Sequence, residues 1–230
     1  MKIQWGKAVI LLFLCFCINI LSEENKDSNN ILKSEFQKQL NVITREINSI
    51  ECDFRQKKKM DFLAEDAISY GKFYYALDKN KKSKSKFSVC LNYTEPMGNQ
   101  ILMVNGRFYV KVDGKTVSTG TKINPAIRQL NTLFEVCLTG DMSLFTKMEK
   151  ESTIEISKSD SLYVLKMYPV SKSLQKRMKS ITMHFDSETM LLKLLRMEEP
   201  NGDNIEYQFS NITTNSAFPE NIFHTENGND

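Results

Sequence analysis

Residues 180–223 read SITMHFDSETMLLKLLRMEEPNGDNIEYQFSNITTNSAFPENIF, and this stretch decides the fold. Ile181, Met183 and Phe185 alternate with Thr182, His184 and Asp186, and Ser187-Glu188 turns the chain. Residues 190–197 follow, then a turn at Pro200-Asn201-Gly202. Ile205, Tyr207 and Phe209 then alternate with Glu206, Gln208 and Ser210. Apolar residues at a period of two, broken by short polar turns, predict half-buried strands joined as antiparallel hairpins.

The same period extends upstream. Strand-like runs stand at residues 51–57, 67–77, 86–94, 100–104, 107–112, 152–156 and 161–168. Asn105-Gly106 joins two of them with the strongest short hairpin signal, and Asp113-Gly114 is another turn, after which the chain is expected to leave the sheet. Two stretches read differently. Leu32, Phe36, Leu40, Ile43, Ile47 and Ile50 recur at steps of four and three, predicting one amphipathic helix of roughly 20 residues. A second helix is expected over residues 125–138, which Asn124 can cap, with Pro125 at its first position and Gly140 just past its end. Ile127, Leu130, Phe134, Cys137 and Leu138 form its apolar face, and a short helical piece is expected near residues 142–148. The expected class is mainly β (α+β), with about ten or eleven antiparallel strands and two substantial helices. Leu191, Leu192, Leu194 and Leu195 fall in one run, so strands of this kind are apolar on both faces, one packing helices and the other lining a cavity.

Lys2 and Lys7 precede an apolar run of about thirteen residues, Ala8 to Ile20, within signal-peptide range and short of the roughly 20 needed to span a bilayer. We expect a signal peptide over residues 1–22, cleaved after Ser22, and one domain over residues 23–230 exported to the periplasm. Leu14 and Phe16, rather than small residues, precede Cys15 and Cys17, which argues against a lipid-anchored N-terminus. Cleavage removes two lysines and no acid, taking the formal charge from +3 to about +1, far from the basic balance of a nucleic-acid binder. Cys52, Cys90 and Cys137 remain, an odd number that excludes a disulfide framework. Either they are small buried thiols or two of them form one disulfide.

Catalytic chemistry lacks a carrier. His184 and His224 are the two histidines, and neither has metal-ligand neighbours at the required spacing. There is no Gly-x-Ser-x-Gly elbow. Residues 173–176 and 83–86 match Ser-x-x-Lys, as chance allows in a chain rich in both residues. No catalytic residue, metal or cofactor is expected. The lysine-rich segment 79–86 reads either as a solvated hairpin loop or as a docking patch for anionic lipid or an acidic partner. Methionines such as Met97, Met103, Met183 and Met190 suit ordinary core filling and equally a pocket for disordered acyl chains.

In order along the chain, these pieces resemble the outer-membrane lipoprotein carrier (LolA-like) family. Phe54-x-Gln56-x-Lys58 is similar to the family's opening strand, followed by Gly71-Lys72-Phe73, Tyr93-Thr94-Glu95-Pro96 and Val104-Asn105-Gly106. Leu138-Thr139-Gly140-Asp141, Leu165-x-Met167-x-Pro169 and Phe209-x-Asn211 with Asn215 and Phe223 complete the series, which runs over roughly residues 40–223. The resemblance implies a half-open antiparallel β-barrel with helices packed in its concave side as plug and lid. It implies a periplasmic lipoprotein chaperone that binds acyl chains and moves lipoproteins from an inner-membrane release complex to an outer-membrane acceptor. Two features depart from the family: Leu91 stands where Trp is frequent, and an Arg-Pro pair in the preceding loop is absent, so any transfer role there falls on Lys79 or Lys86.

From the alternating face and the second helix, the expected lipid-binding cavity comprises Phe73, Tyr75, Phe87, Val89, Leu91, Tyr93, Met103, Ile127, Leu130 and Phe134. The helix 125–138 is expected to be a removable lid, with Gly120 and Gly140 as hinges. The protein is expected to be a monomer whose partners are acylated lipoproteins or other long-chain lipids. A carrier of a different apolar cargo, glycolipid or pigment-lipid, is the alternative on the same fold. An envelope-lipid hydrolase is the third class, and turnover separates it from the first two.

Overall fold

Strand β1 (Ser49–Lys59) buries Ile50, Cys52, Phe54 and Gln56 in strict alternation, so one of its faces belongs wholly to the interior. A computed structural model describes residues 29–77, 87–104, 106–120, 125–219 and 221–225. Among them β1 is followed by β2 (Ala67–Leu77), β3 (Phe87–Glu95), β4 (Met97–Val104), β5 (Arg107–Val112) and β6 (Lys115–Gly120). Then come β7 (Ser152–Lys158), β8 (Leu162–Pro169), β9 (Ser180–Asp186), β10 (Leu192–Glu198) and β11 (Asn204–Thr214). Helix α1 covers residues 29–44, and α2 (Pro125–Thr139), α3 (Met142–Glu151) and the short α4 (Lys172–Gln175) complete the described elements.

All described strands join one antiparallel sheet of 11 in the order β6-β5-β4-β3-β2-β1-β11-β10-β9-β8-β7. The first and last strands of the chain pair at its centre, with Phe54 opposite Phe209 and Gln56 opposite Tyr207. The edges are therefore β6 and β7, which are consecutive in the chain and joined through α2 and α3. The sheet is half-open: its edge strands do not pair, and the helices lie against its inner face. The main core forms there, from Phe36 and Leu40 of α1, Leu133 and Val136 of α2, Phe145 and Met148 of α3, and inward residues of the strands.

Several boundaries differ from the sequence reading. Helix α1 ends at Thr44 instead of running to Ile50. Ile47 lies in the following turn and Ile50 in β1, yet both point into the same core. The helical stripe thus continues across a change of structure, and spacing alone does not show the break. Beyond Asp113-Gly114 the chain adds β6 before the helix. Its sequence KTVSTG has β-branched residues but too little apolar alternation to stand out. Strand β4 starts at Met97, directly after a turn at the cis Glu95–Pro96 bond. Met190 belongs to the β9–β10 turn, at φ 53°, and β10 starts at Leu192. Helix α3 is capped by Asp141, whose carboxylate accepts from Ser143 N at 2.9 Å.

The outer face of the sheet also carries apolar residues. Tyr74, Cys90 and Leu102 stand on adjacent strands and are covered by Phe218, Ile222 and Phe223 of the C-terminal segment. On this part of the sheet the second apolar face packs the chain's own end, where the sequence reading had one face packing helices and the other lining a cavity. Cys52, Cys90 and Cys137 are free and buried, which selects the buried-thiol reading over a disulfide.

Candidate functional site

Where α2 meets the inner face, an apolar cavity of about 30 Å³ remains. Its sheet wall is Ile50, Cys52, Phe73 and Phe209, its helical wall is Phe134, Cys137 and Leu138, and Met190, Leu191, Leu192 and Ile212 close it. Thr44 and Ile47, at the exit of α1, complete the lining. Pockets that hold small molecules measure about 300–1,000 Å³. The cavity is far smaller than that, because α2 packs into the space against the sheet. A larger open groove lies outside α1, lined by Glu35, Lys38, Gln39, Val42, Ile43, Ser187 and Glu188.

The helix fits an aromatic wall. Phe134 stacks on Phe73 with centroids 6.4 Å apart, and Phe73 meets Phe209 edge-on at 5.6 Å. Phe209 stacks on Tyr207 at 6.4 Å, and Phe54 lies edge-on between Tyr207 and Tyr93. Edge-to-face and offset pairs of this kind add to the burial of apolar area. Two hydrogen bonds anchor the C-terminal end of the helix. The Tyr75 hydroxyl donates to Leu138 O at 3.2 Å, and Asn41 Nδ2 donates to Gly140 O at 2.8 Å. Gly140 has φ 65°, and a Cβ built there would sit 2.2 Å from Thr44 Oγ1, so α2 ends hard against α1.

Helix α1 is tied to the sheet and to α3 by charged side chains. Glu35 Oε1 accepts from Lys158 Nζ and Tyr163 Oη, each at 2.8 Å, and these bonds hold its carboxyl below the usual range. Lys33 pairs with Glu149 of α3. Burial is the largest cause of the upward shifts at Cys52, pushed to about 12, and at Cys137. Both cavity thiols are therefore protonated at neutral pH.

Of the ten expected cavity residues, Phe73 and Phe134 line the cavity. Tyr75, Phe87, Val89, Tyr93 and Met103 are buried in the same core, and Leu91 packs against it half-buried. Register explains their common face: Tyr75 opposes Val89, Phe73 opposes Leu91 and Val89 opposes Met103. The side chains of Ile127 and Leu130 lie outside the described residues, as do Lys79 and Lys86. Sequence reasoning left Thr44, Ile47, Ile50, Cys52, Cys137, Leu138, Phe209 and Ile212 out of those ten, and it offered Met190, Leu191 and Leu192 only in general terms as pocket or cavity residues. Cys52 and Phe209 could have been found by carrying the alternation of β1 and β11 through to the site. It also missed Gln56, which takes a buried position of β1 although it is polar.

Among the described residues no group of three or more His, Cys, Asp or Glu side chains could hold a metal ion. Among the same residues no helix is long and apolar enough to cross a membrane.

Residues 45–226 match the family model of the outer membrane lipoprotein carrier protein LolA. A chain of the Pseudomonas aeruginosa MucA/MucB complex is similar in fold, at 14% identity and a TM-score of 0.51, over 84% of this chain and 60% of that one. This chain thus spans less than two thirds of that relative. A LolA superfamily protein from Nitrosomonas europaea gives 8% identity and a TM-score of 0.37, covering 84% and 97% of the two chains. A putative outer membrane lipoprotein-sorting protein domain from Vibrio parahaemolyticus gives 9% and 0.42, covering 86% and 96%. No curated protein matches the chain. The family match takes in the central β1–β11 pair, α2, α3 and the wall of the cavity apart from Thr44, and on it the chain belongs to the LolA family of outer membrane lipoprotein carrier proteins.

Proposed function

We propose that this protein takes lipoprotein acyl chains onto the inner face of its sheet and carries them through the periplasm, with α2 as the lid that makes room for them. The observation that carries this reading is the cavity of about 30 Å³ inside an aromatic and aliphatic wall, filled by a helix held at its end by the two hydrogen bonds of Tyr75 and Asn41. Each methylene removed from water stabilises the bound state by about 0.8 kcal/mol, so a shielded acyl chain is strongly favoured over an exposed one. Moving α2 exposes Phe73, Phe209 and Cys52 to the ligand, and Phe134 moves with the helix.

The mature carrier on this reading is residues 23–230, a monomer, after loss of residues 1–22. An inner-membrane release complex loads it and an outer-membrane acceptor unloads it, as the family implies. Lys79 and Lys86 take the docking role in that transfer, on the strength of the lysine-rich sequence alone.

The test is direct. The mature protein, purified from periplasm, is expected to bind a fluorescent acyl probe and to release it to a diacylated lipoprotein. Mass spectrometry of what co-extracts separates lipoprotein from glycolipid cargo. A well-folded sample that binds no acyl ligand refutes the reading.

A further inference from the structure

Gln56, Tyr93 and Tyr207 form a polar cluster inside the otherwise apolar wall, exposed by only 2%, 8% and 8%. Gln56 Nε2 donates to Tyr93 Oη at 3.1 Å and also to Tyr207 Oη, and the two phenols approach each other at 3.4 Å. A phenol carries one proton, so only one of the pair donates across that contact. The other O–H has no acceptor among the described residues, and the Gln56 carbonyl oxygen has no donor among them. Turning the amide over lets its oxygen accept from both phenols but leaves its N–H groups unspent instead. In either orientation the cluster keeps a free donor in a buried place, where an unmet polar group is costly.

Position gives that donor a meaning. Gln56 lies three residues from the end of β1 at Lys59, about 10 Å from the rim of the sheet at 3.3–3.4 Å per residue. Inward from it on the same face come Phe54, Cys52 and Ile50, and on the partner strand Tyr207 is followed by Phe209. The aromatic wall runs unbroken from the cluster to Phe73 and Phe134 at the lid. A chain lying along this wall has its apolar tail at the cavity and its polar end at the cluster.

We propose that Gln56, Tyr93 and Tyr207 form a subsite that donates a hydrogen bond to the carbonyl oxygen of an acyl ester or amide, fixing the polar end of the bound chain. The proposal rests on the carrier reading. The ligand group is an acceptor because a donor is left over in either orientation of the Gln56 amide, and it is uncharged because the cluster holds no cation. A carboxylate or phosphate desolvated there without a counter-charge is strongly disfavoured. Burial, which raises the titration of both phenols, keeps them protonated as donors.

The experiment is competition against a bound fluorescent acyl probe by two chains of equal length, hexadecanoic acid methyl ester and hexadecyl methyl ether. The wild-type mature protein is expected to prefer the ester about five-fold, the worth of one hydrogen bond. In the Tyr93→Phe/Tyr207→Phe variant that preference falls to near unity while ether affinity holds. Each single Tyr→Phe variant keeps its ring and serves if the double variant does not fold. Infrared spectra of the ester labelled with ¹³C at its carbonyl give a second readout. The band is expected to shift to lower wavenumber in the wild type and to return in the variants. Equal binding of ester and ether by wild type, or an unshifted band, overturns the subsite and leaves the cluster holding a buried water only. A preference that survives in the variants overturns it equally. Failure of both competitors and the probe to bind wild type refutes instead the carrier reading on which the subsite rests.

Discussion

Deleting the Tyr75 hydroxyl tests the lid most sharply. Tyr75 is fully buried, its ring is tilted against Phe87 at 6.1 Å, and its hydroxyl donates to Leu138 O in the last turn of α2. Tyr75→Phe keeps the ring and removes that one bond from the closed state. A neutral hydrogen bond contributes about 1 kcal/mol net, which is roughly a five-fold change in the opening equilibrium. Where ligand binds only the open form, apparent affinity scales with the open fraction. Acyl-probe binding should therefore tighten about five-fold even as the protein becomes less stable, with a melting temperature lower by roughly 2–4 °C. Hydrogen exchange of the amides at residues 133–139 should accelerate by the same factor. Faster exchange with unchanged or weaker probe binding refutes the reasoning, because α2 would then not compete with the ligand. Exchange that ranks this helix with the most protected strands, with or without ligand, refutes the lid altogether.

Thiol chemistry offers an independent readout of opening. Cys52 and Cys137 line the cavity and should react with a thiol reagent near pH 8 at a rate that rises about five-fold in Tyr75→Phe, while Cys90, under the C-terminal segment on the other face, should be unaffected. Gly140→Ala places a Cβ 2.2 Å from Thr44 Oγ1 and 2.9 Å from Asn41 Cα at φ 65°, and should destabilise the α1–α2 junction by roughly 1–3 kcal/mol or more in a denaturant melt; an unchanged midpoint disproves the tight junction. The Glu35 carboxyl is held below its ordinary value of 4.5 by the bonds from Lys158 and Tyr163, so its contribution to stability is present above that value and lost as pH falls through the lowered one. Glu35→Gln should flatten that part of the stability profile, and an unaltered acid limb counts against the tether. Replacing Lys79, Lys81, Lys82, Lys84 and Lys86 with Ser should leave acyl-probe affinity nearly unchanged and weaken binding to anionic vesicles, with a shallower salt dependence; vesicle binding that persists identifies the segment as merely solvated.

Legibility in the sequence followed the strength of the local signal. The C-terminal meander was readable because Ile181, Met183 and Phe185 of β9 and Tyr207 and Phe209 of β11 are buried at a period of two, with polar turns at Ser187-Glu188 and Asn201-Gly202 between the strands. The same alternation put Phe73, Tyr75, Phe87, Val89, Leu91 and Tyr93 on one face, as the register of β2 and β3 has them. Period alone could not say which face the helices cover, because Tyr74, Cys90 and Leu102 make the other face apolar as well. The β1–β11 pairing joins residues some 150 positions apart, and no local pattern encodes it. The end of α1 was hidden because Ile47 and Ile50 continue its spacing while serving a turn and a strand. The filled state of the cavity follows from packing between elements, which a one-dimensional pattern does not contain.

That filled state bears on how a carrier releases its cargo. Burying a Leu, Val or Phe side chain contributes about 1.5–3 kcal/mol, so Leu133, Phe134, Val136 and Leu138 of α2 together bring roughly 6–12 kcal/mol to the closed form. An acyl chain of sixteen carbons, at about 0.8 kcal/mol per methylene, brings roughly 12 kcal/mol. A rigid empty cavity would realise that whole sum and bind near nanomolar affinity or tighter, too tightly to hand a chain to an acceptor. With α2 as the competing occupant, the net preference is the small difference between two similar terms, and modest contacts at either membrane can tip it. On the proposed exchange the aromatic wall would also stay covered when no lipid is present, since Phe134 packs on Phe73 in the closed form and the ligand would take its place. On this reasoning the depth to which α2 is buried does not argue against its moving, because the ligand replaces the contacts the helix gives up.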